Sequence, residues 1–328
     1  MQNDMHNEIQ SETHDVLVDL LQAPAAAPLA DLADWRQRWL ALMAAHPDDS
    51  PADRAIRGGA MADRLGWAFA VGYQAAMMAG FPRDAVAGLQ AFCATEAGGN
   101  RPRDISTVLQ REGDQWRMSG VKTWSTFGQA CDTLFVVARF EEARCEEVPS
   151  RPLLKVVRVP ASAAGVDFQP QPPLPFIPEV PHCGVAFESV LLPEDAVLPG
   201  DGYSDYLKPF RTIEDIHVML ALLAYALREV RRLGGASEAS LLSALGAAMA
   251  SAAALAKRDP AAPLTHWLLD VALNDAAALY ERVGLLLAEH PADPATTRWQ
   301  RDARLFGIAG KARALRAQRA RELLGLTF

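Results

Sequence analysis

The feature that most constrains this chain is a change of period along it. From Asp15 to about Gln90, and again after GDGYSDYLKPF, apolar residues recur at helical spacing. Between Phe92 and about Gly200 they fall instead into short alternating or apolar runs (STVLQ, QWRMSGVKTW, TLFVVARF, LLKVVRV, GVAFESVLL) separated by Gly, Pro and Asp. A period of two and a period of 3.6 bury different faces and cannot share one element. The chain is therefore expected to be α+β, with an antiparallel β-domain held between two helical regions. At 328 residues it is long enough for two or three packed units, and the divisions expected are 1–90, 91–203 and 204–328.

Within the first region, LGWAFAVGYQAAMMAG reads as a buried helix ending at Gly80, while HPDDSPADRAIRGGA (His46 to Ala60) reads as a loop or helix start. The proline-dense QPQPPLPFIPEVP (Gln169 to Pro181) is too stiff and donor-poor for a central strand, so it should be a surface loop that lines a cleft. In the last region four long helical patterns, the fourth running from Trp299 to Gly325, predict a bundle with caps at Ser237 or Ser240, Thr265, and Thr296 or Thr297.

A net charge of −8 disfavours nucleic acid as a partner. Cys93, Cys131, Cys145 and Cys183 form no metal-ligand spacing, so reduced thiols and no metal are expected. The acidic start shows no export signal, and no apolar run reaches the length expected of a membrane span, Leu241 to Asp259 coming nearest; a cytoplasmic location is the expectation.

Three blocks carry a family resemblance. FCATEAGGN (Phe92 to Asn100) resembles the acyl-CoA dehydrogenase signature with its T-E-P-x-x-G-S-D core. Ser119-Gly120-Val121-Lys122-Thr123-Trp124-Ser125-Thr126 occupies the family's N-G-x-K-x-W-I-T strand, and GVAFESVLLPEDAVLPGDG resembles the strand that closes its β-domain. The resemblance implies an N-terminal helical domain, a middle β-barrel and a C-terminal four-helix bundle. It further implies FAD as cofactor, an acyl-CoA or other acyl thioester as substrate, an electron-transferring flavoprotein as electron partner, a place in fatty acid metabolism, and a homodimer or homotetramer.

Carried over by position, Thr95, Trp124 and Thr126 would touch the flavin, with Ser125 as a further contact. Threonine and tryptophan are also common packing residues of strands. The ligand-contacting serine of the signature is missing, which leaves Asn100 and Arg101 as candidate substrate contacts. Arg301-Asp302, with Ile308 after it, matches the lead-in to the family's usual catalytic glutamate, yet Ala309-Gly310-Lys311 follows. A minority of members carry that base on the first bundle helix, where this chain has Glu214, with His217 one turn on. An acid in a helix's first turn is also what the helix dipole favours by itself. The family's R-x-x-F-G motif is absent, and Arg228, Arg231 or Arg232 would have to replace its arginine at the flavin pyrophosphate of the partner subunit. The eight Lys or Arg against two acids from Arg298 onward suit either a CoA-facing or a solvated helix face. The reading is an FAD-dependent α,β-dehydrogenation with Glu214 as base; the alternatives are a non-catalytic flavin- or acyl-CoA-binding relative and a flavin oxidase on the same scaffold.

Overall fold

The computed structural model describes residues 16–23, 27–81, 88–141, 152–234 and 238–326. Four helices come first, α1 (Val16–Gln22), α2 (Leu32–Ala45), α3 (Pro51–Met61) and α4 (Leu65–Gly80). Seven strands follow: β1 (Gln90–Cys93), β2 (Val108–Glu112), β3 (Gln115–Thr126), β4 (Thr133–Glu141), β5 (Leu154–Pro160), β6 (Val166–Pro170) and β7 (His182–Leu192). A wide turn over Gly202–Leu207 then opens α5 (Lys208–Leu233), α6 (Ala239–Ala256), α7 (Pro263–Ala288), α8 (Pro294–Asp302) and α9 (Gly310–Leu324). The α+β class and the helical, β, helical order are those expected.

The strands make one curled sheet in the order β1-β4-β2-β3-β7-β6, with β5 on β4. Its pairing is mixed rather than wholly antiparallel, because β1 and β2 both run parallel to β4, on successive stretches of it. The long β3–β7 ladder carries two register shifts, one of them between Lys122 and Ser125. Beyond that shift Ser125 opposes Cys183 and Thr126 opposes His182.

Residues Pro51 to Met61 form a regular helix, where a loop or helix start was expected. Ser50 and Asp53 close a capping box around Pro51 at the first helical position, a local signal that outweighs two glycines. Those glycines serve packing: a Cβ on Gly59 would stand 2.3 Å from the Ala221 carbonyl oxygen, and one on Gly72 would stand 2.5 Å from the Val218 Cα. Close approach lets α3 and α4 clasp α5, whose residues Ile216 to Val230 are buried without a break. Trp35 stacks on Trp67 and on Phe127, ring centroids 5.7 and 5.4 Å away, joining the first helices to the end of β3.

The fourth bundle helix is broken. After Asp302 the chain tightens into a single-turn helix over Ala303–Gly307, and Ala309 takes a left-handed conformation (φ 62°) before α9 begins. The expected caps also move. Ser237 lies outside the described residues and Ser240 sits inside α6, which starts after Glu238. Pro263 and Pro294 start α7 and α8, placing Thr265, Thr296 and Thr297 inside them. Thr296 donates instead to the carbonyls of Leu287 and His290 at the end of α7, 2.8 Å each. Helix α6, by length and composition, is apolar enough to cross a membrane, contrary to the run-length expectation. It buries one face (Leu241, Leu245, Met249, Ala252, Leu255).

Candidate functional site

A cavity of about 340 Å³ opens where the rim of the sheet meets the helices, a volume at the small end of ligand pockets. The sheet side of its wall carries Phe92, Ala94, Thr95, Trp124, Thr126 and His182. The helical side carries Phe69 and Tyr73 of α4, Phe210, Arg211, Glu214 and Val218 of α5, Tyr280 of α7, and the Leu305–Ala309 turn with Arg313. Loop residues Leu174, Phe176 and Ile177 complete it, so the proline-dense segment does line the cleft.

Local structure explains why these groups converge. The Thr123 amide donates to the Thr95 carbonyl at 2.9 Å, fastening the turn after β1 to the end of β3. That turn is anchored by Glu96. One of its carboxylate oxygens accepts from the Lys122 ammonium at 2.6 Å and from the Thr107 hydroxyl at 2.7 Å; the other accepts from the Ser106 amide at 2.7 Å and from its hydroxyl. Burial alone would raise the Glu96 pKa, but the adjoining ammonium and these hydrogen bonds bring it down to about 2. Lys122 is wholly buried, so two residues of the signature blocks build the scaffold and leave Thr95, Trp124 and Thr126 facing the cavity.

The alternation of a strand sends Trp124 and Thr126 to one face and Ser125 to the other. Ser125 is fully buried, its hydroxyl has no hydrogen-bond partner among the described residues, and its side chain does not line the cavity. Among the described residues the Thr95 and Thr126 hydroxyls are taken up by no protein partner. The Trp124 indole remains 39% exposed and lies 4.7 Å, centroid to centroid, from the His182 ring. Burial pushes the His182 pKa down to about 4 despite its hydrogen bond to the Val180 carbonyl, so the ring is neutral at pH 7.

Glu214 enters from the first turns of α5. Among the described residues its carboxylate makes no hydrogen bond or ion pair. The residue is half-buried and lines the cavity. Burial raises its pKa to about 7, with the Asp215 charge adding to the shift and Arg313 and Arg211 opposing it. Asp215 is committed elsewhere: it accepts from Arg313 at 2.7 Å and from Arg316 at 2.6 Å, docking α9 onto α5. His217 stands behind the wall, its Nδ1 bonded to the Ile213 carbonyl at 2.7 Å, and burial pushes its pKa down to about 4, which makes it a neutral packing residue.

Of the two candidate substrate contacts, Asn100 lines the cavity and accepts from Arg211 at 2.8 Å, whereas Arg101 is exposed outside the wall. The three arginines considered for a flavin phosphate are all engaged within the chain. Arg228 is buried against Glu229 at 3.0 Å and the Ala62 carbonyl, Arg231 donates to the carbonyls of Leu20 and Ala23, and Arg232 bridges Glu229 and Asp293. None of them lines the cavity. Tyr73, His182 and Arg211 were not singled out from the sequence. They sit in unrelated segments and meet only after α4, β7 and α5 pack together.

Residues 91–190 match the family model described as acyl-CoA dehydrogenase, middle domain. No curated protein matches the chain. Among solved structures, butyryl-CoA dehydrogenase from Megasphaera elsdenii superposes with a TM-score of 0.68 at 14% identity, covering 89% of this chain and 90% of that one. Glutaryl-CoA dehydrogenase from Mycobacterium smegmatis gives 0.65 at 15%, covering 94% and 92%. Podospora anserina nitroalkane oxidase gives 0.63 at 16%, covering 93% and 90%. At such identities the superpositions speak for the fold, and the family model speaks for the sheet. The chain is thus built on the acyl-CoA dehydrogenase fold and carries, over residues 91–190, the middle domain of that family.

Proposed function

We propose that this protein is an FAD-dependent oxidoreductase that removes hydrogen from the α and β carbons of an acyl thioester, with Glu214 as the base. Residues 91–203 would be the flavin-contacting unit, set between helical units 1–90 and 204–328. The observation that carries the reading is that Thr95, Trp124, Thr126 and Glu214, picked from three separate segments, line one cavity.

The residues present suit a flavin ring. Trp124 offers an aromatic wall, and Thr95 and Thr126 offer two uncommitted hydroxyls in an otherwise largely apolar cleft. When bound, the flavin supplies the two-electron acceptor for the hydride leaving the β carbon. The protein's share of the work falls to its own side chains. Glu214, with a pKa near neutrality, is poised to hold the proton taken from the α carbon. Phe69, Phe210 and Val218 line the same cavity and make its helical wall largely apolar, the kind of surroundings that raise a carboxyl pKa. Arg313, held by Asp215, also reaches the Phe306 carbonyl at 3.5 Å and so ties the broken turn to α5.

Anaerobic addition of a panel of acyl-CoAs to the FAD-loaded protein tests this reading. Bleaching of the flavin absorbance is expected in the parent, and a loss of at least about 100-fold in its rate in Glu214→Gln, the ordinary share of a general base. A variant bleaching at the parental rate would remove Glu214 from the mechanism. Gly310, which stands where the family's Y-E-G-T context would put the usual base, supports the second reading, a binding protein: a parent that takes up FAD but is bleached by no acyl-CoA would favour it. Oxygen consumption without an external acceptor would favour an oxidase. Delivery of electrons to an electron-transferring flavoprotein, a cytoplasmic location and a homo-oligomeric state belong to the same proposal.

A further inference from the structure

The Arg301-Asp302 pair stands where the family's lead-in to a glutamate stands, yet here no glutamate follows, so the pair must be explained by what it touches. Asp302 is fully buried, and one of its oxygens accepts the Ile177 amide at 2.7 Å. Arg301 grips both carboxylate oxygens of Asp302, at 2.7 and 2.8 Å, and reaches across to Glu179 at 2.6 Å. Arg64 approaches the same Glu179 oxygen at 3.5 Å. A short span of the proline-dense loop, Ile177 to Glu179, is therefore held at both ends by one residue pair, 125 positions away from Ile177 and 122 from Glu179.

The held segment is strained. Ile177 has φ 43°, a left-handed conformation that a β-branched side chain adopts only under constraint. Its side chain is 1% exposed and forms part of the cavity wall beside Phe176 and Leu174. Its carbonyl accepts from the Val180 amide at 3.1 Å, so both backbone groups of the strained residue are satisfied. Such strain persists only where surrounding structure over-determines it, and it clusters at ligand sites.

We propose that Asp302 is a positioning residue: by holding the Ile177 amide it keeps that strained loop pressed into the cavity wall, and so sets how tightly the site closes on its ligand. The link to ligand fit rests on the function proposed above; the clamp itself does not. The pair thus has a use in this protein independent of the glutamate that usually follows it.

Two variants and two readouts decide the matter. Hydrogen exchange of the Ile177 amide needs no ligand. It should quicken at least about tenfold in Asp302→Ala, less in Asp302→Asn, which retains an oxygen acceptor, and without matching change in the core of α4 and α5. In the FAD-loaded protein, KM for butyryl-CoA should rise about tenfold in Asp302→Ala with kcat altered less than about threefold, the sign of lost binding rather than lost chemistry. Should the alanine variant fail to fold, Asp302→Asn decides by the same two measurements. Exchange that quickens evenly throughout, or an unchanged Ile177 rate, overturns the clamp. Local quickening with an unchanged KM overturns its role in ligand fit. A parent that binds neither FAD nor butyryl-CoA while Ile177 alone quickens would sink the function and leave the clamp standing.

Discussion

Two adjacent carboxylates at the start of α5 meet different surroundings. Asp215 is paired with Arg313 and Arg316, while Glu214 faces the cavity alone with a pKa of about 7. Two consequences of opposite sense follow. Because the base must be ionised, kcat/KM for an acyl-CoA should rise with pH and reach half its limit near pH 7. Because the folded pKa lies above the unfolded value of about 4.3, the folded protein binds more protons than the unfolded chain between those values. Glu214 therefore erodes stability as pH rises from about 4 to 7. Glu214→Gln should accordingly raise the unfolding temperature at pH 8 and leave it unchanged at pH 4, as calorimetry at the two pH values would show. Glu96 has the reverse sign: with its pKa depressed to about 2, its contribution is present at neutral pH and lost on acidification toward that value. Removing one partner of a buried pair strands the other charge, so Lys122→Met should cost about 3–5 kcal/mol in denaturant unfolding.

The same residues mark how far sequence reasoning reaches. Thr95, Trp124, Thr126, Asn100 and Glu214 were legible because each lies in or near a motif with a register, and all five line the cavity. Ser125 failed as a side-chain contact for a reason already present in the strand period, since neighbours on a strand face opposite ways. Arg228 does not line the cavity: it is paired with Glu229 next to it and donates to the Ala62 carbonyl at the end of α3, a contact between distant segments that the sequence does not display. His182 enters the site, and Asp302 meets Ile177, through tertiary contacts that no local pattern encodes.

Among the elements, α5 is the axis. Small residues on α3 and α4 let it approach backbone to backbone, so the glycines that read as loop signals are packing residues. Gly59→Ala would set a methyl group 2.3 Å from the Ala221 carbonyl oxygen. Overpacking of this kind costs about 1–3 kcal/mol, and since α5 also carries Glu214, the variant should lose both thermal stability and flavin bleaching rate; Gly246→Ala, with nothing within 4 Å of its new methyl, should lose neither. The helix-to-sheet change of period was plain in the sequence, as was the buried α4. The break between α8 and α9 was not, because Ala303 to Ala309 keeps a helical apolar rhythm while Ala309 adopts the left-handed conformation.

On the scale of the whole molecule, the cavity lies where the sheet rim, α4, α5, α7 and the loop before β7 meet. The two parallel pairings to β4 were beyond the strand pattern, which records alternation but not direction. The arrangement makes sense as a slot for a planar ring whose sheet-side wall is Trp124 with Thr95 and Thr126. That claim is tested most directly by equilibrium titration of FAD, followed by its fluorescence, into parent protein and into Trp124→Ala and Thr126→Val. Saturable binding by the parent is expected, weakened about tenfold or more in each variant, equivalent to about 1.4 kcal/mol, with unchanged thermal unfolding of the FAD-free proteins. A parent that leaves FAD free, or variants that bind it as the parent does, would contradict the account.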